Sequence, residues 1–236
     1  ELYGGDTRYR LCQETVLGIG GIAVLRALGY ASIRTYHMNE GHSGLLTVSL
    51  LEEQTGERGL AGATEADIGA VRRRCVFTVH TPVAAGHDRF PLAVVEEVLG
   101  PERAGFLSRV AYPDKETFNM TYLAITMSRS ANGVSFRHGQ VSRVMFPQHK
   151  VSAITNGVHA ATWASPPFAA LFDEHVPAWR VDNRYLRHTI GIPLTKVLAA
   201  HEEAQLALLA EVARRTGVAL DPSALTIGFA RRATGY

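Results

Sequence analysis

The residues with the most chemical potential in this chain are its histidines, ten in 236 residues. His37, Glu40 and His42 fall together in H-M-N-E-G-H, and His80 and His87 bracket T-P-V-A-A-G. Imidazoles and carboxylates together can bind zinc. The spacing is not that of a His-Glu-x-x-His helix, however, and Gly41 interrupts any helix that would put His37 and His42 on one face. No metal site is therefore expected. Another use follows if loops at strand ends carry His42 and His80 into one crevice, where ligands bind in open α/β sheets. Ile154-Thr155-Asn156-Gly157 sets an amide at a tight turn. Turn chemistry alone accounts for Asn there, and an amide that both donates and accepts also suits sugar hydroxyls. Arg231-Arg232 follow an apolar run, where two fixed cations suit a phosphate or carboxylate; an exposed surface pair is the plainer reading.

Gly18-Ile19-Gly20-Gly21-Ile22-Ala23 matches G-x-G-x-x-A, and Glu40 lies about 20 residues further on, where a ribose-binding acid would sit. A nucleotide-dependent oxidoreductase would use Gly18, Gly20, Ala23 and Glu40 in this way. That chemistry needs a strand before the glycines, so that a helix opens onto the pyrophosphate. Arg10 to Leu17 is half polar, with Gln13-Glu14 at its centre. It reads as a helix already under way, and the glycines then serve close helix packing.

The elements that position these residues alternate between the two periods. Ile33–Met38, Val76–His80 and Val151–Thr155 read as strands, and Leu225–Ala230 as a strand running into a loop. Helices are expected over Ser43–Gln54, Glu65–Arg74 with Thr64 as N-cap, and Phe90–Leu99. Two more are expected over Asn119–Ser130 and Val134–Phe146, broken at Asn132-Gly133, and Val181–Thr189 also reads as helical. Pro193–Gly217 is the clearest helix, with Pro in its first turn and Gly as C-cap. Strands alternating with helices argue for an α/β fold with a parallel sheet.

Composition sets the outer bounds. Hydrophobic residues make up 46% and charged residues 19%, enough apolar material for a sizeable core and too much for disorder to be the main state. The net charge is +2, which gives no global attraction to nucleic acid or to an acidic membrane. Cys12 and Cys75 form no C-x-x-C pair, so a reducing cytoplasm is the expected setting. No apolar run reaches the roughly 18 residues of a membrane span, and the N-terminus has no signal-peptide pattern. The chain opens without Met and closes on a strand with no crossover helix after it, so a fragment is expected.

Read together, several segments resemble the bacterial, short type of the α-glucan (glycogen/maltodextrin) phosphorylase family. They are Y-G-G-D from Tyr3 with R-L-C-Q-E-T-V-L-G-I-G-G, H-M-N-E-G-H-S from His37, and F-T-V-H-T-P-V-A-A-G-H-D-R-F from Phe77. F-N-M-T-Y-L-A from Phe118, N-G-V-S-F-R-H-G-Q-V-S-R from Asn132, I-T-N-G-V-H-A-A-T-W from Ile154 and T-I-G-F-A-R-R-A-T-G-Y from Thr226 follow in family order.

The resemblance implies a two-domain fold of facing Rossmann-like domains (GT-B type). Residues 1–155 would be the later part of the N-terminal domain, and 156–236 the truncated start of the C-terminal one. It implies phosphorolysis of terminal α-1,4-glucosyl units to α-glucose 1-phosphate, a glycosyltransferase activity in the cytoplasm, with pyridoxal phosphate as cofactor. Its partners would be an α-1,4-glucan and inorganic phosphate, with neither nucleic acid nor membrane; the oligomeric state stays open, a homo-oligomer included. Carried over by position, His42 contacts the glucosyl unit near the reacting carbon, His80 lines the same pocket, and Asn156 holds a sugar hydroxyl. Tyr236 stands beside the sugar, Arg232 binds the substrate phosphate and Arg231 faces the cofactor phosphate. The family's cofactor lysine has no counterpart among Lys115, Lys150 and Lys196. The chain by itself is then expected to be inactive, or to act as a non-catalytic glucan-binding fragment.

Overall fold

A computed structural model describes residues 5–112 and 117–230. The chain divides into two compact units, one running to Asn156 and the other beginning at Gly157.

The first unit opens on helix α1 (Thr7–Thr15), capped where the Asp6 carboxylate accepts from the Tyr9 amide at 2.8 Å. One π-helical turn (Val16–Gly20) joins it to α2 (Gly21–Ala27) without a break. Strand β1 (Tyr36–Asn39) follows, and then α3 (Leu46–Thr55) and α4 (Glu65–Arg74). Thr64 is the N-cap of α4, as the sequence leads one to expect, and with Asp67 it closes a reciprocal capping box. Arg58 grips the Asp67 carboxylate with two bonds of 2.9 Å and, with Thr64, holds its pKa below the ordinary range.

Strand β2 (Cys75–Val79) leads to a short hairpin-like pair, β3 (Arg89–Pro91) against β4 (Thr117–Asn119), with α5 (Leu92–Leu99) and α6 (Pro101–Val110) between them. Helix α7 (Met120–Thr126), strand β5 (Ser130–Gly133), helix α8 (Phe136–Met145) and strand β6 (Val151–Ala153) complete the unit. The main sheet has the order β1-β2-β5-β6, and every neighbouring pair is parallel. Phe77, Val79, Met38, Leu50 and Leu51 are fully buried in its core.

Two expectations change here. Asn132-Gly133 is not a break between helices: it lies inside β5, which pairs with β2 on one side and β6 on the other. Hydrogen bonding on both edges overrides the turn preference of the dipeptide. Phe90 belongs to β3, and the helix starts only after Pro91.

The second unit is helical among its described residues: α9 (Ala160–Trp163), α10 (Pro166–His175), a 3-10 run over Asn183–Gly191 and α11 (Leu194–Thr216). Gly217 ends α11 in the left-handed conformation, with φ of 75°. Trp179 anchors a small core with Leu171, Val176, Ile192 and Ala200, and its indole N–H donates to Asp173 at 2.8 Å. The strand expected over Leu225–Ala230 is absent. The segment pairs with no strand among the described residues, and Leu225, Ile227 and Phe229 are exposed. A parallel strand exists only through its neighbours, and an apolar run alone cannot supply them.

Candidate functional site

The sheet's register brings one polar residue from each strand into a single row near the C-terminal ends: Asn39, Thr78, Asn132 and Ser152. The Thr78 hydroxyl donates to Asn132 Oδ1 at 3.0 Å and accepts from His37 Nε2 at 2.8 Å. This fixes the proton of the His37 ring on Nε2. The loops that leave this end of the sheet carry the histidines singled out above: His42 sits in a 3-10 turn (Gly41–Ser43) after β1, and His80 directly follows β2. Asn156 leaves β6 and donates its amide N–H to Val134 O at 3.0 Å; its side chain is exposed.

Between β1 and the His42 turn stands Glu40, with φ of 64° and ψ of 174°. That region is essentially glycine's, and other residues are held there at a cost of about 1–3 kcal/mol. The Glu40 carboxylate accepts from the backbone amides of His80 and Thr81, the latter at 2.6 Å, and from its own neighbour Gly41 at 3.3 Å. A carboxylate so engaged is no ribose ligand. Gly18 and Gly20 lie inside a continuous helix through the π-turn, and Ala23 lies further along it, with no strand before them. The dinucleotide reading of Gly18, Gly20, Ala23 and Glu40 is therefore overturned.

His42 is held by a cluster that the spacing of residues does not reveal. Its Nδ1 lies 3.0 Å from Asp88 Oδ2, 3.2 Å from Glu14 Oε1 and 2.8 Å from Arg10 Nη2. Arg10 Nη2 binds the same Asp88 oxygen at 2.8 Å and lies 3.2 Å from Glu14 Oε1, so that two cationic donors converge on two acids. Burial above all, with its bond to Asp88, raises the Glu14 carboxyl to about 8 against the pull of His42 and Arg10. The hydrogen bond to Asp88, then that to Glu14, raises His42 to about 9. Burial works against the Asp88 charge, but His42, Glu14 and Arg10 together hold its pKa well below the carboxylate range. At neutral pH the cluster is thus two cations, one carboxylate and one protonated acid. Ligand atoms of Glu14, His42 and Asp88 lie within 4.8 Å of one another, a spacing a metal could bridge. Arg10 already provides the positive charge among them, and a divalent ion would meet it at close range.

Both raised groups hold their proton more tightly folded than unfolded. The stability Glu14 lends is complete below about 4.5 and is lost as pH rises through about 8. For His42 the window runs from about 6.5 through about 9. Thermal unfolding followed across pH is expected to show a midpoint falling steadily from about pH 5 to 9, and Glu14→Gln is expected to flatten the lower part of that fall. A wild-type profile flat across this range would refute the assignment.

Arg10, Glu14 and Asp88 were not singled out from the sequence. The available signal was the Gln13-Glu14 pair in the half-polar helical segment Arg10 to Leu17, and the charged pair Asp88-Arg89 following His87. His87 itself is buried and packs edge-on against Phe146, with Nδ1 2.8 Å from the Thr121 hydroxyl, and burial lowers its pKa. Of the expected site residues, His42, His80 and Asn156 all leave the same end of the sheet. Arg231, Arg232 and Tyr236 lie outside the described residues. No helix among the described residues is long and apolar enough to cross a membrane.

No family model matches the chain. The whole chain aligns at 35% identity with 32% of the length of a protein named glycogen phosphorylase from Mycobacterium tuberculosis. It aligns at 34% with 31% of maltodextrin phosphorylase from Thermococcus litoralis, and at 28% with 39% of glycogen phosphorylase from Aquifex aeolicus. The chain thus spans about a third of the length of the first of these curated relatives. That similarity runs from end to end of an α/β chain with a parallel sheet, and this chain is a homologue of proteins named glycogen phosphorylase and maltodextrin phosphorylase.

Proposed function

We propose that this chain supplies the sugar-gripping part of an α-glucan phosphorylase, which transfers terminal α-1,4-glucosyl units to inorganic phosphate and yields α-glucose 1-phosphate. The observation that carries the reading is the delivery of His42 and His80 from adjacent parallel strands to one end of the sheet. Asn156 adds an exposed amide on the loop after β6. A glucosyl unit offers hydroxyls that both donate and accept, and imidazole and amide groups match them. A His42 ring held protonated by Asp88 places positive charge beside the sugar, where it can meet the incoming phosphate.

The proposed setting is the GT-B arrangement of two facing Rossmann-like domains. Residues to 155 would belong to the first and residues from 156 to the second, with Arg231, Arg232 and Tyr236 contributing to the phosphate and sugar sites. Pyridoxal phosphate would supply a phosphate group for proton transfer. Its attachment does not fit the lysines described here. Lys196 is paired with Glu174 at 2.5 Å and lies 3.0 Å from His175, and Lys150 is exposed beside β6. For the 236-residue chain alone, glucan binding without turnover is therefore expected. A cytoplasmic setting accords with this chemistry.

The test is formation of glucose 1-phosphate from maltodextrin and phosphate by the intact protein, beside maltodextrin binding by the chain itself. Phosphate-dependent product that falls at least about a hundredfold in His42→Ala supports the reading, a loss of the size seen when one transition-state contact is removed. No product from the intact protein, or an undiminished rate in that variant, would reject it.

A further inference from the structure

We propose that Glu40 is a positioning residue: a carboxylate clamp that sets the His80 loop against the His42 turn. The inference rests on the reading of those two histidines as sugar-gripping groups. Three observations lead to it. The backbone at Glu40 adopts φ of 64° and ψ of 174°, which glycine would accept without strain, yet the position carries a glutamate. Strain of this kind persists only where the surroundings hold it. What holds it here is the side chain, which reaches from the end of β1 to the amides of His80 and Thr81 just beyond β2. The same residue's own N–H donates to Thr78 O at 2.9 Å, extending the β1–β2 ladder by one rung. Glu40 is therefore tied to the β2 loop by both main chain and side chain.

The next residue closes the device. A Cβ on Gly41 would lie 2.8 Å from Thr121 Oγ1 and 2.9 Å from the Thr121 backbone nitrogen, so the turn is seated directly against the start of α7. His42 follows with no free residue between. One carboxylate thus registers two loops that leave different strands, and Oε1 takes two amides while Oε2 takes the third. With both oxygens engaged, Glu40 acts through the histidines and not as a proton-transfer group itself.

Glu40→Gly and Glu40→Gln separate clamp from strain. Glycine relieves the backbone and removes the clamp, whereas glutamine keeps an acceptor oxygen. Amide hydrogen exchange in the full chain is expected to quicken about ten- to a hundredfold at His80 and Thr81 in Glu40→Gly, the range for losing a bond to a charged acceptor, and to return most of the way in Glu40→Gln. In the intact protein, kcat/KM for maltodextrin phosphorolysis is expected to fall about tenfold or more in Glu40→Gly at an unlowered unfolding temperature, with rescue by Glu40→Gln. Unchanged exchange at His80 and Thr81 would overturn the clamp, and faster exchange with undiminished phosphorolysis would overturn its positioning role. If wild-type protein makes no glucose 1-phosphate, the phosphorylase reading fails, while exchange at these two amides still decides whether the clamp exists.

Discussion

Asp88→Asn combined with Glu14→Gln is expected to destabilise the first unit by about 4 kcal/mol, far more than the two single changes added together. The reason lies in where the charges stand. Arg10 Nη2 and His42 Nδ1 are 2.8 Å apart, and both are directed at the carboxyl groups of Asp88 and Glu14. In the wild type Asp88 carries the negative charge and Glu14 keeps its proton. With Asp88→Asn alone, burial still favours the neutral Glu14 acid, but the part of its raised pKa that comes from Asp88 is gone while His42 and Arg10 still favour its charge, so Glu14 is expected to ionise more readily and serve as counter-ion. With Glu14→Gln alone, an acid that is protonated at neutral pH is replaced by its neutral isostere, and little is lost. Only the double change removes both of these acids from beside the two adjacent cations, and His42 is then expected to give up its proton more readily. Urea denaturation of the four proteins, with NMR titration of the His42 ring, checks this. The His42 pKa is expected below its ordinary value of 6.5 in the double variant. Additive losses in stability would show that the two acids do not substitute for each other.

The second large effect is a reversal of sign between two glycines three residues apart. In a helix, Gly→Ala ordinarily stabilises by roughly 0.5–1 kcal/mol. At Gly21 nothing lies within 4 Å of an added Cβ, and φ and ψ are −58° and −45°, so Gly21→Ala is expected to stabilise by about that amount. At Gly18 the Cβ would fall 2.8 Å from Leu46 N and 3.0 Å from Leu45 C, both backbone atoms that cannot step aside. Gly18→Ala is expected to destabilise by about 2 kcal/mol or more, by forcing the π-turn away from the start of α3. Calorimetry of the two variants decides it, and equal signs would remove the packing role assigned to Gly18. That contact also matters for the site. The helix that carries Arg10 and Glu14 is thereby pressed against the segment that follows His42.

Much of this architecture is written locally. The Thr64 cap of α4, the Pro193 and Gly217 ends of α11 and the buried run of β2 are decided by residues within one or two turns of each other, and a sequence reading finds them. The same holds for the glycines at 18–21: a half-polar segment before them excludes a strand, and the chain is helical there. Short-range chemistry also marked His42, His80 and Asn156 as residues of interest, and the family motifs gave them roles to be tested.

What only the tertiary structure decided depends on partners distant along the chain. Asn132-Gly133 became strand because β2 and β6 flank it, and Leu225–Ala230 did not because no strand among the described residues does. Glu40, weighed from the sequence as a zinc ligand beside His37 and His42 and as a ribose-binding acid, instead binds amides 40 and 41 residues away. Asp88 stands 78 residues from Arg10, and neither side chain has a local reason to be where it is. Helix periods, caps and turns follow from neighbours in sequence, so they can be read in one dimension. Strand pairing, proton affinities and the seating of a charged group follow from desolvation and from contacts that exist only once the chain has closed on itself.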